Sequence, residues 1–493
     1  MNESRAGADI ATLDARWDAL VFPRDYRNPH PLDRYHLVVI GAGPAGLIIA
    51  IAAAGLGARV ALIERHAMGG DCLNVGCVPS KTLLAAASSG VDFSAAMQRV
   101  HGVRARIAIN DSVQRYSEAG VHVFLGEAKF VDATHVQVTG AAGAALLQGK
   151  RVVIASGARA VLPAIPGLEA LGVHTNETIF DLPALPARLA VLGGGPIGCE
   201  LAQAFARLGS SVTLIEMQAR VLANEDPDAS ALLEAALRSD GVALQLGRRV
   251  QSVSANGSVK TLLLDNGREI EAEAVLVAAG RSRNIEALNL EAAGVRSDPA
   301  QGILVDERLR SSNPRIYAAG DVCSKLQFTH SADAQARIVV RNALFLGRAR
   351  HDRLVIPWCT YTKPEVARVG ASRAELTQQR TAFDALRVEF AELDRGRTDA
   401  SSDSAPDGFV EVLLEPASGQ MLGATIVGRD AGEQIAPLVL LMTLKLTLAA
   451  LGSLVLPYPT RSEYLRRLVD TWNRKRLTPR AAGLLRRWLH FTR

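Results

Sequence analysis

The apolar positions of the chain gather in short unbroken runs that end on glycine, and the arrangement occurs twice. Leu37-Val38-Val39-Ile40 leads into Gly41-Ala42-Gly43-Pro44-Ala45-Gly46, then a helix-length apolar stretch, then Val60-Ala61-Leu62-Ile63-Glu64. Leu189-Ala190-Val191-Leu192 leads into Gly193-Gly194-Gly195-Pro196-Ile197-Gly198 and on to Val212-Thr213-Leu214-Ile215-Glu216. Each copy reads as strand, tight turn, helix and strand, and in both the first glycine and the closing glutamate are 23 residues apart. One glycine fingerprint is weak evidence; two with matching strand, helix and acid form an internal repeat of a dinucleotide-binding unit. Three further runs end the same way: Val152 to Gly157, Val275 to Gly280, and Ile316 to Gly320-Asp321. After about Pro357 alternating strands take over, such as Gly408 to Leu414 and Met421 to Val427, followed by an apolar helical region, which marks a domain boundary. Asp394 to Asp407, rich in Ser, Asp and Arg, reads as a loop within this last domain.

The physics of each copy is the same. Gly41 or Gly193 permits the turn, Gly43 or Gly195 lets the backbone approach a pyrophosphate, and Gly46 or Gly198 lets helix and strand pack closely. The pyrophosphate then rests on the helix N-terminus, and Glu64 or Glu216 accepts hydrogen bonds from a ribose. Two nucleotide sites are expected, in an α/β fold.

Soon after the first unit the chain reads Gly70-Asp71-Cys72-Leu73-Asn74-Val75-Gly76-Cys77-Val78-Pro79-Ser80-Lys81. Two cysteines five positions apart can close into a disulfide at a helix start, where amide groups and the dipole stabilise a thiolate. A zinc site is not expected, because Cys199, Cys323 and Cys359 are isolated and form no second pair. Met1 to Arg34 mixes Glu3, Arg5, Asp9, Asp14, Arg16 and Asp18, unlike a signal peptide, so a cytoplasmic setting is expected, where disulfides are catalytic or sensing. Redox chemistry is the reading.

Composition adds little to this, with 48% hydrophobic and 21% charged residues, as in an ordinary globular protein. Leu37 to Ala58 lacks charge but is broken by its glycines, and Ile435 to Leu456 is interrupted by Pro437, Lys445 and Gly452. Neither is read as a membrane span; the second is expected to be a buried interface helix followed by a short element. The net charge of +5 is uneven: from Arg461 onward ten Arg or Lys face only Glu463 and Asp470, so the tail carries +8 and the rest −3. Nucleic-acid binding is therefore not expected.

These motifs resemble the class I pyridine nucleotide-disulfide oxidoreductases, the family of dihydrolipoyl dehydrogenase, glutathione reductase and mercuric reductase. The resemblance covers about residues 35 to 475 and is most specific in Gly69 to Lys81. It implies two Rossmann-like domains, for FAD and NAD, and an α+β C-terminal dimerisation domain. The implied division is an N-terminal extension (1–34), an FAD domain in two parts (35–158 and 282–354), an NAD(P) domain (159–281), an interface domain (355–476) and a basic amphipathic tail (477–493). FAD would be held by Gly41, Gly43, Gly46, Glu64, Lys81, Ala128, Gly157, Gly320 and Asp321; the nicotinamide dinucleotide by Gly193, Gly195, Gly198, Glu216 and Gly280. Cys77 would be the thiol nearest the flavin and Cys72 the one that meets the substrate, with Lys81 paired to Glu200. Glu216 favours NADH, since a carboxylate repels a 2′-phosphate, although Arg220 lies only four residues on.

The resemblance also exposes a departure. Where dihydrolipoyl dehydrogenases and glutathione reductases carry His-Pro and then Glu, the chain reads Pro457-Tyr458-Pro459-Thr460-Arg461-Ser462-Glu463. Tyrosine, with an ordinary pKa of about 10, is a poor base at neutral pH, which tells against efficient dithiol oxidation. Mercuric reductases share this tyrosine, and Leu201 to Gly209 and Gln327-Phe328 are similar to theirs as well. Their vicinal C-terminal cysteines are absent from the end, His490-Phe491-Thr492-Arg493. The expected activity is transfer of electrons from NAD(P)H through FAD and Cys72–Cys77 to a small acceptor, a soft metal ion or a disulfide, in a homodimer. The alternatives are a dihydrolipoyl dehydrogenase and a flavin-bound redox sensor or electron-transfer partner of a membrane protein. Leu484 to Leu489 is expected to form a short amphipathic helix, lying on an inner membrane surface or packed on its own subunit.

Overall fold

Because the apolar runs carry no polar residue to turn toward water, they form strands covered on both faces. A computed structural model describes residues 9–141, 143–345, 347–399 and 408–493. The chain forms two compact units, the first running to Ala219 and from Asp240 to Leu354, the second made of Arg220–Ser239 and the residues from Val355 onward.

In the first unit, strands β1 (Tyr35–Ile40), β2 (Val60–Glu64) and β3 (Val121–Leu125) are parallel, with Val38 opposite Ala61 on one side and Val152 of strand Gly143–Ile154 on the other. Ile316–Ala318 joins beyond Gly143–Ile154, so three of the glycine-ended runs lie side by side. The second repeat builds a separate parallel sheet in the order Ala243–Leu246, Ser211–Glu216, Arg188–Leu192, Ala274–Val277. Pro44 and Pro196 each sit in the first turn of their helix, Pro44–Gly55 and Pro196–Arg207, where a missing N–H costs nothing.

A helix in the N-terminal extension was not foreseen. Helix α1 (Ile10–Val21) starts on Asp9, whose carboxylate accepts the Thr12 amide at 2.7 Å, and Val21 is fully buried. Past it, Asn28 exchanges two hydrogen bonds with the backbone of Leu125, of 3.0 and 2.7 Å.

The second unit is a five-stranded antiparallel sheet in the order Pro357–Thr360, Glu365–Gly370, Met421–Gly428, Phe409–Leu414, Asp384–Glu389, covered by helix Tyr464–Arg476 through Tyr464, Leu465, Leu468 and Trp472. Two expectations are corrected here, the loop at 394–399 and the extent of the tail helix. Asp394–Asp399 is helical, because Arg395 and Asp399 pair across one turn at 2.9 Å; the rest of that predicted loop, 400–407, lies outside the described residues. The 435–456 region holds the expected helix, Ala436–Thr443, followed by a short element, Leu448–Ser453; Leu438 and Leu441 are in the core, and Leu440, Leu444 and Val455 are exposed in the single chain. The tail helix is longer than Leu484 to Leu489, spanning Pro479–Phe491, and none of these described residues is buried.

Candidate functional site

The first glycine turn is fixed by close approach. Gly41 has φ +102°, and a Cβ there would lie 2.3 Å from the Ala155 carbonyl oxygen; one on Gly46 would lie 1.8 Å from that of Gly41. Glu64, buried at the end of β2, accepts the Ala42 amide at 2.7 Å and the His66 amide at 2.9 Å, and burial pushes its carboxyl pKa up. A cleft of about 200 Å³ opens beside it, lined among others by Gly41, Glu64, Ala128, Ser156, Arg159 and Asn284. Gly157 follows Ser156 with φ +69° and open space where a side chain would stand, and helix α2 (Pro44–Gly55) begins on Gly43 with no side-chain cap. Bare amides at a helix start, a ribose-seeking carboxylate and a cleft between them fit the adenosine and pyrophosphate of a dinucleotide such as FAD. Gly320, φ +82°, comes within 3.3 Å of Ala45 if given a Cβ, so its turn lies against α2; its amide donates to Gln335 at 2.8 Å.

The second turn repeats this atom for atom. Gly193 has φ +112° and its Cβ would be 2.4 Å from the Ala278 carbonyl oxygen; that of Gly198 would be 1.9 Å from the Gly193 oxygen. Glu216 accepts Gly194 N–H at 2.6 Å and Gln218 N–H at 2.7 Å. Gly195 and Gly280 face open space. Arg220 donates to the carbonyls of Ala223 and Glu225, at 2.8 and 3.2 Å.

The two cysteines lie on consecutive helices, Cys72 inside α3 (Gly70–Asn74) and Cys77 at the first position of α4 (Cys77–Ala87). Both are free thiols, and Cys77 is the more exposed. A hydrogen bond from Cys72 and the cation of Lys81 lower the Cys77 pKa to about 6; the same bond, with burial, pushes Cys72 up. Thr329 Oγ1 lies 3.6 Å from Cys77 Sγ. Lys81 Nζ donates to buried Glu200 at 2.7 Å, so the pair predicted from sequence is formed. Arg281 was missed: its guanidinium pairs with Asp71, next to Cys72, and lies 3.8 Å from Asp321, whose carboxyl is pushed up by burial. No local pattern marks this contact, since Arg281 and Asp71 lie 210 positions apart.

Tyr458 and Glu463 belong to the second unit. Tyr458 is exposed and donates to Asp394 at 2.6 Å, which raises its pKa, and Glu463 pairs with Arg467 at 2.9 Å. Among the described residues no helix is long and apolar enough to cross a membrane.

Comparison with known proteins agrees with this geometry. Residues 35–336 match the profile of the pyridine nucleotide-disulphide oxidoreductases, and 356–469 match that family's dimerisation domain. The chain is 34% identical over 461 residues to a mercuric reductase of Staphylococcus aureus, covering 89% of this chain and 83% of that one. It is 32% identical over 449 residues to a dihydrolipoyl dehydrogenase of Chlamydia muridarum, covering 87% and 95%. The solved Cu(II) complex of the HOCl-induced flavoprotein disulfide reductase RclA from Escherichia coli superposes with a TM-score of 0.82 at 30% identity, over 89% of this chain and 100% of that chain.

Proposed function

The chain belongs to the pyridine nucleotide-disulphide oxidoreductases, and from that premise we propose that it carries electrons from NADH through FAD and the Cys72–Cys77 pair to a small acceptor, a soft metal ion or a disulfide. The observation that carries this reading is the placing of the two free thiols on consecutive helices, with Cys77 at the first position of α4 and the Lys81–Glu200 pair one turn further on. Bound FAD would supply hydride acceptance from the nicotinamide and release of two electrons to the disulfide. Two electrons and one proton open Cys72–Cys77, leaving a thiol on Cys72 and a thiolate on Cys77, which Lys81 and the start of α4 stabilise. Re-forming the bond returns two electrons to the acceptor and releases the proton.

Gly41, Gly43, Gly46, Glu64, Lys81, Ala128, Gly157, Gly320 and Asp321 are proposed to hold FAD, and Gly193, Gly195, Gly198, Glu216 and Gly280 the nicotinamide dinucleotide. NADH is favoured because Glu216 presents a carboxylate and Arg220 is already engaged by two carbonyls. The acceptor class follows from Tyr458. Its hydrogen bond to Asp394 raises its pKa and keeps it a protonated phenol at neutral pH, with no base to offer an incoming dithiol, which suits a thiophilic ion needing electrons more than a dithiol needing deprotonation.

The dimerisation domain and the exposed Leu440, Leu444 and Val455 support a homodimer. Exposed Leu484, Leu485, Trp488 and Leu489, flanked by Arg480, Arg486 and Arg487, favour peripheral contact with the anionic inner face of a membrane from the cytoplasm. Full-length chain should then co-sediment with anionic vesicles and a chain stopped at Arg476 should not; equal binding removes the tail's role.

An acceptor screen tests the activity itself. Hg(II), Cu(II), lipoamide, glutathione disulfide and quinones, each with NADH and NADPH, should give the highest kcat/KM for a metal ion with NADH. A preference for lipoamide restores the dehydrogenase reading, and reducible cysteines without turnover restore the sensor.

A further inference from the structure

The segment before Tyr35 lies outside the family profile, yet it reaches the residues between the two cysteines. Asn74 is buried within the Cys72–Cys77 segment, and its side-chain amide donates to the carbonyls of Met68 and Gly70, at 3.1 and 2.9 Å, tying α3 into a closed loop. Its remaining polar atom, Oδ1, accepts the indole N–H of Trp17 from α1 at 2.8 Å. Trp17 is itself held from behind: the Arg104 guanidinium lies 4.5 Å from its ring centroid, donates to Asp14 of α1 at 2.7 Å, and reaches the Asn74 carbonyl at 3.4 Å. His101, one turn before Arg104 on helix α5 (Phe93–Ile107), meets the same Asp14 at 2.5 Å and the Phe180 carbonyl at 3.2 Å. Arg104 and His101 are both buried. The backbone joins in, with Met68 N–H donating to the Val21 carbonyl at the end of α1 at 3.1 Å.

We infer that α1 is a strap that sets the redox balance of the thiol pair, with Trp17 as a positioning residue acting through Asn74. The inference rests on the reading of Cys72 and Cys77 as a reversible disulfide. An open dithiol leaves the intervening segment free to relax, whereas the disulfide already restrains it. A strap that fixes this segment removes freedom from the dithiol only, keeps the sulfurs adjacent, and so favours the bonded form. Linkage is reciprocal, so the disulfide must in turn hold α1 more firmly than the dithiol does.

The experiment compares two substitutions in the FAD-loaded enzyme. Trp17→Phe keeps the ring beneath Arg104 and removes only the N–H. Leu20→Ala, on the same helix and packed on the same core, weakens the attachment of α1 without touching Asn74. Redox titration of the cysteine pair against a thiol buffer should show a tenfold lower disulfide-to-dithiol ratio in Trp17→Phe at a given potential, a rise of about 30 mV for a two-electron couple. Leu20→Ala should lower the thermal midpoint and, by loosening α1 while the Trp17–Asn74 bond remains, move the potential in the same direction by clearly less. An unmoved potential in Trp17→Phe, or the same shift in both variants, overturns the inference. Should Trp17→Phe not fold, amide exchange of residues 10–21 in the unaltered enzyme decides: slower exchange in the oxidised than the NADH-reduced form is expected, and equal exchange overturns it. Failure of the underlying reading looks different, because the unaltered protein would then show no two-electron cysteine couple at all.

Discussion

In the first nucleotide cradle Glu64 takes the Ala42 and His66 amides at 2.7 and 2.9 Å; in the second, Glu216 takes Gly194 and Gln218 at 2.6 and 2.7 Å. The local geometry is one motif written twice. The surroundings differ. Glu64 is 9% exposed, and its cradle is bordered by a parallel sheet, by the Gly320 turn and by helix Thr329–Phe345. Around Glu216 the chain stays open, with Ile197 38% and Met217 53% exposed. The βαβ sequence thus dictates the hydrogen bonds, whereas the enclosure comes from elements elsewhere in the chain. An enclosed cradle suits a group retained through many turnovers, and an open one suits a cosubstrate that leaves each time.

The largest effect that separates the two should come from the third glycine of each turn. A Cβ on Gly46 or Gly198 meets a backbone carbonyl oxygen at under 2 Å, so Gly46→Ala and Gly198→Ala introduce nearly the same collision, costing about 3 kcal/mol or more if the helix must move away. Gly46→Ala is expected to yield colourless protein or none. Gly198→Ala should remain yellow after gel filtration and lose reduction by NADH while chemical reductants still bleach its flavin. Flavin retained equally by both variants would break the comparison.

Exchanging each carboxylate for an amide should have a smaller effect and sharpen the contrast. Glutamine can accept one of the two amides but turns an N–H toward the other. In the enclosed cradle this buried mismatch costs about 1–3 kcal/mol, so Glu64→Gln should lower the thermal midpoint and weaken FAD retention. At the open cradle water relieves the mismatch, and Glu216→Gln should leave stability nearly unchanged. Its KM for NADH should rise by about tenfold, as one lost hydrogen bond to a charged group predicts, and its discrimination against NADPH should shrink. Steady-state kinetics with both cosubstrates checks this.

How much of this was legible beforehand follows the same division. The strands, both turns, the closing glutamates and the thiol pair are local patterns or short spacings, and sequence carries them directly; the Lys81–Glu200 partnership, 119 positions apart, came only from the family resemblance. The clamp of Arg281 on Asp71 and Asp321, and the reach of Trp17 to Asn74, join residues 210, 40 and 57 positions apart, and no periodicity announces a contact of that kind. Asp394–Asp399 misled for a related reason: its Ser, Asp and Arg composition is that of a loop, but Arg395 and Asp399 stand four apart and support a turn of helix. The apolar 435–456 region is legible as an interface helix and a short element, but hydrophobicity alone does not say which face meets this chain and which meets a second copy.

One ion pair spans the two repeats, since Lys81 follows the first cradle and Glu200 lies on the helix that opens the second. Its removal should give the smallest effect. Of the three influences that lower the Cys77 pKa, the hydrogen bond from Cys72 comes first, the Lys81 charge second and the Thr329 hydroxyl third, so Lys81→Met leaves the largest in place. Below about pH 6 Cys77 is protonated and slow to alkylate; above it the thiolate reacts. In NADH-reduced enzyme the iodoacetamide rate at Cys77, located by mass spectrometry, should therefore climb through about pH 6 and reach its plateau below neutrality. Lys81→Met should move that climb upward by about one pH unit, the size expected for loss of one nearby opposite charge. Lys81→Arg should keep the original profile if charge is what matters. A profile that stays at pH 6 in Lys81→Met would assign the low pKa to Cys72, Thr329 and the start of α4, and the two cradles would then share a fold without sharing an electrostatic link.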